Sequence, residues 1–145
     1  MTPACPLSST DRIAARADCD LRVEHTIDLA LCGELERLAD DLPALSEDGA
    51  LRRLSERLLA ASERWSDPRW KEAFRDSMAW DARLIDSIHA EDVSEAIWRH
   101  WRNPGPASTG QLSYMLRALF DGRRRAVALE AALLGCGSCQ SSAID

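Results

Sequence analysis

In 145 residues the chain has no long apolar run, one lysine, one tyrosine, two phenylalanines and only three histidines. Each shortage excludes something. A membrane-spanning helix needs about 20 consecutive apolar residues, and no stretch approaches that. The first twenty residues also lack the apolar core of a signal peptide, so a cytoplasmic protein with no membrane partner is expected. Positive charge is in deficit: Asp and Glu number 24 against 18 Lys and Arg, a net charge of −6. The broad basic footprint that nucleic acid requires is missing, and no nucleic-acid partner is expected. Lys71 is the only lysine and every other basic residue is arginine, a usage that fits a GC-rich genome better than a functional cluster. Five cysteines (Cys5, Cys19, Cys32, Cys136 and Cys139) are odd in number and irregular in spacing, so reduced thiols are expected rather than a disulfide framework.

What is present is ordinary for one globular core: 46% hydrophobic and 29% charged residues in a chain of common domain size. Helix-favouring residues dominate, and Gly and Pro mark helix ends instead of strand turns. The fold class expected is all-α, an up-and-down four-helix bundle. Residues 1–19 are read as a partly disordered N-terminal segment with a short helix over Asp11 to Ala17, residues 20–134 as the bundle, and residues 135–145 as a flexible tail. The first main helix runs from Asp20, its N-cap, to Asp41 before Pro43. The second follows Ser46, Glu47 and Asp48 and stops at Asp67 and Pro68. A helical stretch over Pro68 to Met78 leads into a third that ends at Arg102. A loop over NPGPASTG precedes the fourth, from Ser108 or Thr109 to Leu134, with Gly135 as its stop.

Steps of four and three residues, the spacing of a bundle seam, pick out the inward faces. They are Leu21, His25, Asp28, Cys32, Leu35 and Ala39 on the first helix, and Leu51, Leu54, Leu58, Ala61 and Trp65 on the second. The third carries Met78, Ala82, Ile85, His89, Val93, Ala96 and His100, and the fourth Leu112, Leu116, Leu119, Arg123, Ala126, Glu130 and Leu133. Bundles build metal sites from inward side chains on facing helices, so His25, Asp28, His89, Asp92 and Glu130 are the polar residues to weigh.

Three segments carry a resemblance to a known family. LRVEHTIDLALCGELERLADDLP at Leu21 to Pro43 resembles the first helix of bacterial hemerythrin-like proteins, in which the histidine of an EH pair ligates iron. IHAED at Ile88 to Asp92 resembles the EHxxD segment of the third helix, and SYMLRALFDGRRRAVALEAALL at Ser113 to Leu134 resembles the fourth, which typically ends in HxxxE. The resemblance covers residues 21 to 134 and implies a diiron centre held by about five histidines and bridging carboxylates. Position by position it implies His25, His89 and Glu130 as metal ligands. The fourth-helix histidine is replaced by Ala126, and no histidine lies between His25 and His89, so the HxxxE of the second helix is absent. A conventional diiron site is therefore excluded.

Two histidines and one carboxylate are a set suited to a single iron or other divalent ion. Against this stands the reading of His25 and His89 as core residues hydrogen-bonded to Asp28, Asp92 or Glu130. A third reading replaces the metal's charge by Arg123, two turns from Glu130 on the same seam, with an outward-snorkelling arginine as the alternative. The tryptophans Trp65, Trp70, Trp80, Trp98 and Trp101 either fill volume left by a missing metal centre or form an aromatic surface for a protein partner. Cys136 and Cys139 form CGSC, a thiol redox or metal pair if not simply part of the tail. No phosphate loop, nucleophile elbow or HExxH pattern occurs.

The function expected is that of a non-enzymatic binding or regulatory protein on a hemerythrin-like scaffold that lacks a complete diiron site and carries no cofactor. One alternative is a mononuclear sensor of iron, oxygen or nitric oxide using His25, His89 and Glu130. The other is a thiol module using Cys136 and Cys139.

Overall fold

A computed structural model describes residues 9–44, 48–75 and 78–142, with side chains placed over 18–44, 49–75 and 78–133. It is all-helical, with no strand among the described residues. Five helices occur in order: α1 (Ser9–Asp41), α2 (Asp48–Trp65), α3 (Pro68–Ala73), α4 (Met78–Arg102) and α5 (Pro106–Ser142).

Cross-helix contacts give the arrangement. Asp28 and Glu34 of α1 meet Arg64 and Arg57 of α2. Ser55 and Ser62 of α2 meet Ser94 and Ser87 of α4. Arg83 and His100 of α4 meet Glu130 and Ser108 of α5, and Arg124 and Arg117 of α5 meet Glu36 and Asp40 of α1. In every pair the numbers rise along one helix as they fall along the other. These contacts run antiparallel, and the closely packed pairs of long helices are α2 with α4, α4 with α5 and α5 with α1.

The interior is layered. The main apolar core joins Leu31, Leu35, Leu58, Ile97, Leu116 and Leu119, all at most 2% exposed, with other residues of the four long helices. Burying side chains of this size contributes roughly 1.5–3 kcal/mol each. A second, smaller cluster consists of Leu21, Trp70, Phe74 and Ala79, with α3 supplying the indole. Asp67 caps α3, its side chain accepting from the Arg69 N–H at 3.0 Å, and Pro68 sits in the first turn where its missing N–H costs nothing. Between the two apolar clusters, every long helix places charged or polar groups inward.

Helix ends differ from the sequence expectation in four places. α3 ends at Ala73, with Phe74 and Arg75 in a turn, where a helical stretch to Met78 was expected. α1 runs unbroken from Ser9, so Asp20 is not an N-cap; it lies within the helix and pairs with Arg69 at 3.0 Å. α5 opens at Pro106, so PASTG belongs to the helix and only Asn103 to Gly105 separates it from α4. It also passes Gly135 and continues to Ser142. A glycine ends a helix by turning left-handed, and no described glycine has a positive φ. Residues 1–8 and the side chains of the CGSC segment lie outside the described set.

Candidate functional site

One set of inward polar groups forms a connected layer. α1 contributes Glu24, His25 and Asp28; α2 contributes Arg64 and the indole N–H of Trp65; α4 contributes Arg83 and Asp86; α5 contributes Arg123 and Glu130. The side chains of Asp28, Arg83, Arg123 and Glu130 are fully buried, and only that of Arg64 reaches solvent appreciably, at 28% exposed.

Glu130 is the hub. Its Oε1 accepts from Arg83 Nη2 at 2.9 Å and lies 3.0 Å from His25 Nε2. Its Oε2 accepts from Arg123 Nη2 at 2.5 Å and from Arg83 Nε at 3.1 Å. Arg83 therefore grips the carboxylate with two parallel N–H groups, the geometry that makes arginine the strongest carboxylate partner. Its Nη2 also donates to Glu24 at 3.0 Å. Arg123 donates from Nη1 to Asp86 at 3.1 Å. Asp28 accepts from Arg64 Nη2 at 2.9 Å and from Trp65 Nε1 at 3.0 Å, and lies 3.7 Å from Arg123 Nε.

Aromatic faces flank the two buried cations, and Arg123 Nε is left without a hydrogen-bond partner. The Arg83 guanidinium carbon lies 4.9 Å from the centroid of Trp70 and 5.6 Å from that of Phe74, and that of Arg123 lies 5.0 Å from Trp65. A desolvated cation over an indole is stabilised by about 2 kcal/mol. Without such partners a buried charge costs several kcal/mol. The carboxylates Glu24, Asp28, Asp86 and Glu130 face the guanidiniums of Arg64, Arg83 and Arg123, with His25 as the remaining basic group.

Burial raises the Glu130 carboxyl pKa, but the His25 hydrogen bond and the Arg123 and Arg83 charges outweigh it, bringing the group down to about 2. Asp86 behaves oppositely: burial outweighs Arg123 and holds its pKa above the ordinary value. The two contribute with opposite sign to the pH dependence of stability. Glu130 is protonated more readily in the unfolded chain than in the folded one, so its stabilisation is present above about pH 4.5 and is lost as pH falls toward 2. Full loss is on the order of 3 kcal/mol at about 1.4 kcal/mol per pKa unit, while protonation of Asp86 relieves part of its own burial cost. Urea midpoints are expected to fall steeply between pH 4.5 and pH 2. A flat profile across that window would show Glu130 is not clamped.

Of the three residues the family resemblance assigns to a metal, two meet and one does not. His25 and Glu130 are in direct contact, whereas His89 is exposed on α4. The first half of α4 faces inward one residue later than expected: Ala79, Arg83, Asp86 and Ala90 are buried, while Met78 and Ile85 are exposed. Asp92, expected beside His89, is exposed with it. Leu133 on α5 is also exposed, at 44%.

The remaining donors do not fit a metal ion. Both Glu130 oxygens accept from guanidiniums, and His25 Nε2 is engaged with the same carboxylate. A divalent cation placed there would meet two positive side chains at hydrogen-bond range. Among the described residues no group of three or more His, Cys, Asp or Glu is arranged to hold one.

Arg83, Glu24, Asp86 and Arg64 were not singled out by the seam reading. A signal for Arg83 and Asp86 does exist. Ala79, Arg83, Asp86, Ala90, Val93, Ile97 and His100 follow strict steps of four and three, whereas Met78, Ala82, Ile85, His89, Val93, Ala96 and His100 need two consecutive steps of four. The tryptophans divide: Trp65 and Trp70 are buried against the arginines, Trp98 donates to Ser55 at 3.0 Å, and Trp101 is 38% exposed. Cys19 is exposed, and burial pushes the Cys32 thiol up to about 11, leaving it inert at neutral pH.

No helix of the described residues is long and apolar enough to cross a membrane. Compared with known proteins, the chain matches no family model, no curated protein and no solved structure.

Proposed function

We propose that the chain is a hemerythrin-like, up-and-down four-helix bundle in which arginine side chains have taken over the charge-balancing role of the metal centre. On this reading it is a cytoplasmic, non-enzymatic binding or regulatory protein that needs no cofactor. The observation that carries it is the double engagement of Glu130. The carboxylate that the family resemblance assigns to iron is held between the buried guanidiniums of Arg83 and Arg123, with His25 on the same oxygen as Arg83 Nη2.

The antiparallel packing of α2 on α4, α4 on α5 and α5 on α1 supports the scaffold part of the proposal. Ala126 at the position of the fourth-helix histidine, and the lack of any histidine between His25 and His89, support the loss of the metal. Redox chemistry at an iron requires open coordination positions and anionic or imidazole donors; here the corresponding space is filled by cations stacked on indoles.

Metal analysis tests the proposal. Untagged protein, expressed in iron-replete medium and purified without chelator, is expected to contain far less than one iron per chain. Ferrous or cobalt ion added anaerobically is expected to produce no absorption band. Close to one equivalent of tightly held metal, lost on His25→Ala, would establish the sensor reading instead.

A further inference from the structure

We propose that Asp86 and Arg123 form a proton-operated switch: a proton taken up by the buried Asp86 carboxylate releases the Arg123 guanidinium to close onto Asp28, coupling α4 to α1 and α2. The charge count of the layer is the starting point. Glu24, Asp28, Asp86 and Glu130 face only three guanidiniums, and the His25 ring is engaged with Glu130. One negative charge is left over unless a proton enters the layer, and an uncompensated buried charge costs several kcal/mol.

Asp86 is the carboxylate with the least support. Glu130 is met by two guanidiniums and an imidazole, Asp28 by Arg64 and the Trp65 indole, and Glu24 by Arg83 with Arg64 at 3.8 Å. Asp86 accepts one hydrogen bond among the described residues, from Arg123 Nη1 at 3.1 Å, and its Oδ1 faces Gly122, which brings no side chain to it. Arg123 is itself shared, lying 2.5 Å from Glu130 and 3.7 Å from Asp28. The remaining neighbours do not supply a cation in its place. Burial and Glu130 of α5 push the Asp86 pKa up against Arg123 and the exposed His89 of α4, and burial wins. Cys32 of α1, with its thiol at about 11, is neutral, and Arg64 of α2 is bound to Asp28. The Asp86 side chain is 8% exposed, enough for a solvent proton to reach it.

Arg123 has a second position available. Its Nε is buried with no hydrogen-bond partner and stands 3.7 Å from Asp28 Oδ2, so a shift of about 1 Å brings it into hydrogen-bond range. An ionised Asp86 opposes that shift by holding Nη1. When the proton adds to a carboxylate oxygen of Asp86, the acceptor becomes neutral and about half as strong, and Nε–H is free to donate to Asp28. Asp28 also accepts from Arg64 and Trp65, and the Trp65 ring lies 5.0 Å from the Arg123 guanidinium, so the change reaches α1 and α2. Because Asp86 binds its proton more readily folded than unfolded, its ionisation lowers stability above the folded midpoint. That cost is relieved as pH falls through the midpoint toward 3.8, whereas the loss at Glu130 begins only below about 4.5.

NMR of the full chain tests it, following the Asp86 carboxyl carbon and the Arg123 Nε–H together as pH is lowered from neutral. The Asp86 midpoint is expected above the ordinary 3.8, and the Arg123 Nε–H proton is expected to move downfield with that same midpoint. Asp86→Asn, uncharged at every pH, is expected to show the low-pH Arg123 signal already at pH 7, with Nε–H exchanging with water at least tenfold more slowly than in the wild type at that pH. Asp92→Asn, on the exposed side of α4, is expected to change neither signal. A midpoint at or below 3.8, an Arg123 Nε–H that does not follow Asp86, or an Asp86→Asn variant with the wild-type Arg123 signal at pH 7 would overturn the proposal. Should Asp86→Asn fail to fold, the joint titration in the wild type decides alone.

Discussion

Replacement of Glu130 by glutamine is expected to lower the free energy of unfolding by about 3–5 kcal/mol, the cost of removing one partner from a buried ionic group. The substitution keeps the size of the side chain, so cavity formation contributes little. It leaves Arg83 and Arg123, both fully buried, with one anionic partner fewer each: Arg83 keeps Glu24 and Arg123 keeps Asp86. A domain of this size is stable by only about 5–15 kcal/mol, so urea denaturation at pH 7 will show a large shift of midpoint with little change of slope. A shift under 1 kcal/mol would mean that water or other groups already solvate the two guanidiniums.

Arg83→Met is expected to cost a similar amount, with a second signature that Glu130→Gln lacks. Methionine preserves apolar volume but removes the cation that joins α4 to the four other helices. Arg83 donates to Glu130 and Glu24, lies over Trp70 and Phe74, and reaches the Arg64 carbonyl at 3.4 Å. Its loss loosens α3, a single short helix otherwise held by the apolar contacts of Trp70 with Leu21 and Ala79 and by the exposed Arg69 to Asp20 pair. Such exposed pairs contribute less than about 1 kcal/mol. Red-shifted tryptophan emission and faster amide exchange across Pro68–Ala73 are therefore expected before global unfolding. Glu130→Gln, which leaves the Arg83 to Trp70 stacking in place, should show neither. Equal behaviour of the two variants would show that α3 is held by its apolar contacts alone.

The fold was legible where one periodicity dominated. On α1, α2 and most of α5 the apolar residues recur at seam spacing with no competing register, and Leu21, Leu35, Leu58, Trp65, Leu116 and Leu119 are buried as that spacing requires. α4 was misread because its aliphatic residues and its buried residues are different sets. Met78, Ile85 and Ile88 form the more hydrophobic stripe, yet Ala79, Arg83, Asp86 and Ser87 face inward. An apolar stripe predicts burial only when the interior is apolar, and here the interior at that level is ionic. Of the site, His25, Asp28, Trp65, Arg123 and Glu130 could be placed from spacing alone. The partner role of Arg83 was hidden because an arginine beside apolar residues normally marks the solvent side. Two arginines facing one glutamate is a three-dimensional fact that no single helix records.

The ionisation state of Glu130 in the folded protein carries the central claim. Carbon-detected NMR of the side-chain carboxyl, followed from pH 7 downward while the protein remains folded, reads it directly. A carboxylate clamped by Arg83, Arg123 and His25 stays ionised through pH 4 and titrates toward about 2. A midpoint near the ordinary 4.5 in a folded chain would contradict the arginine-held layer and reopen Glu130 as a ligand for something else.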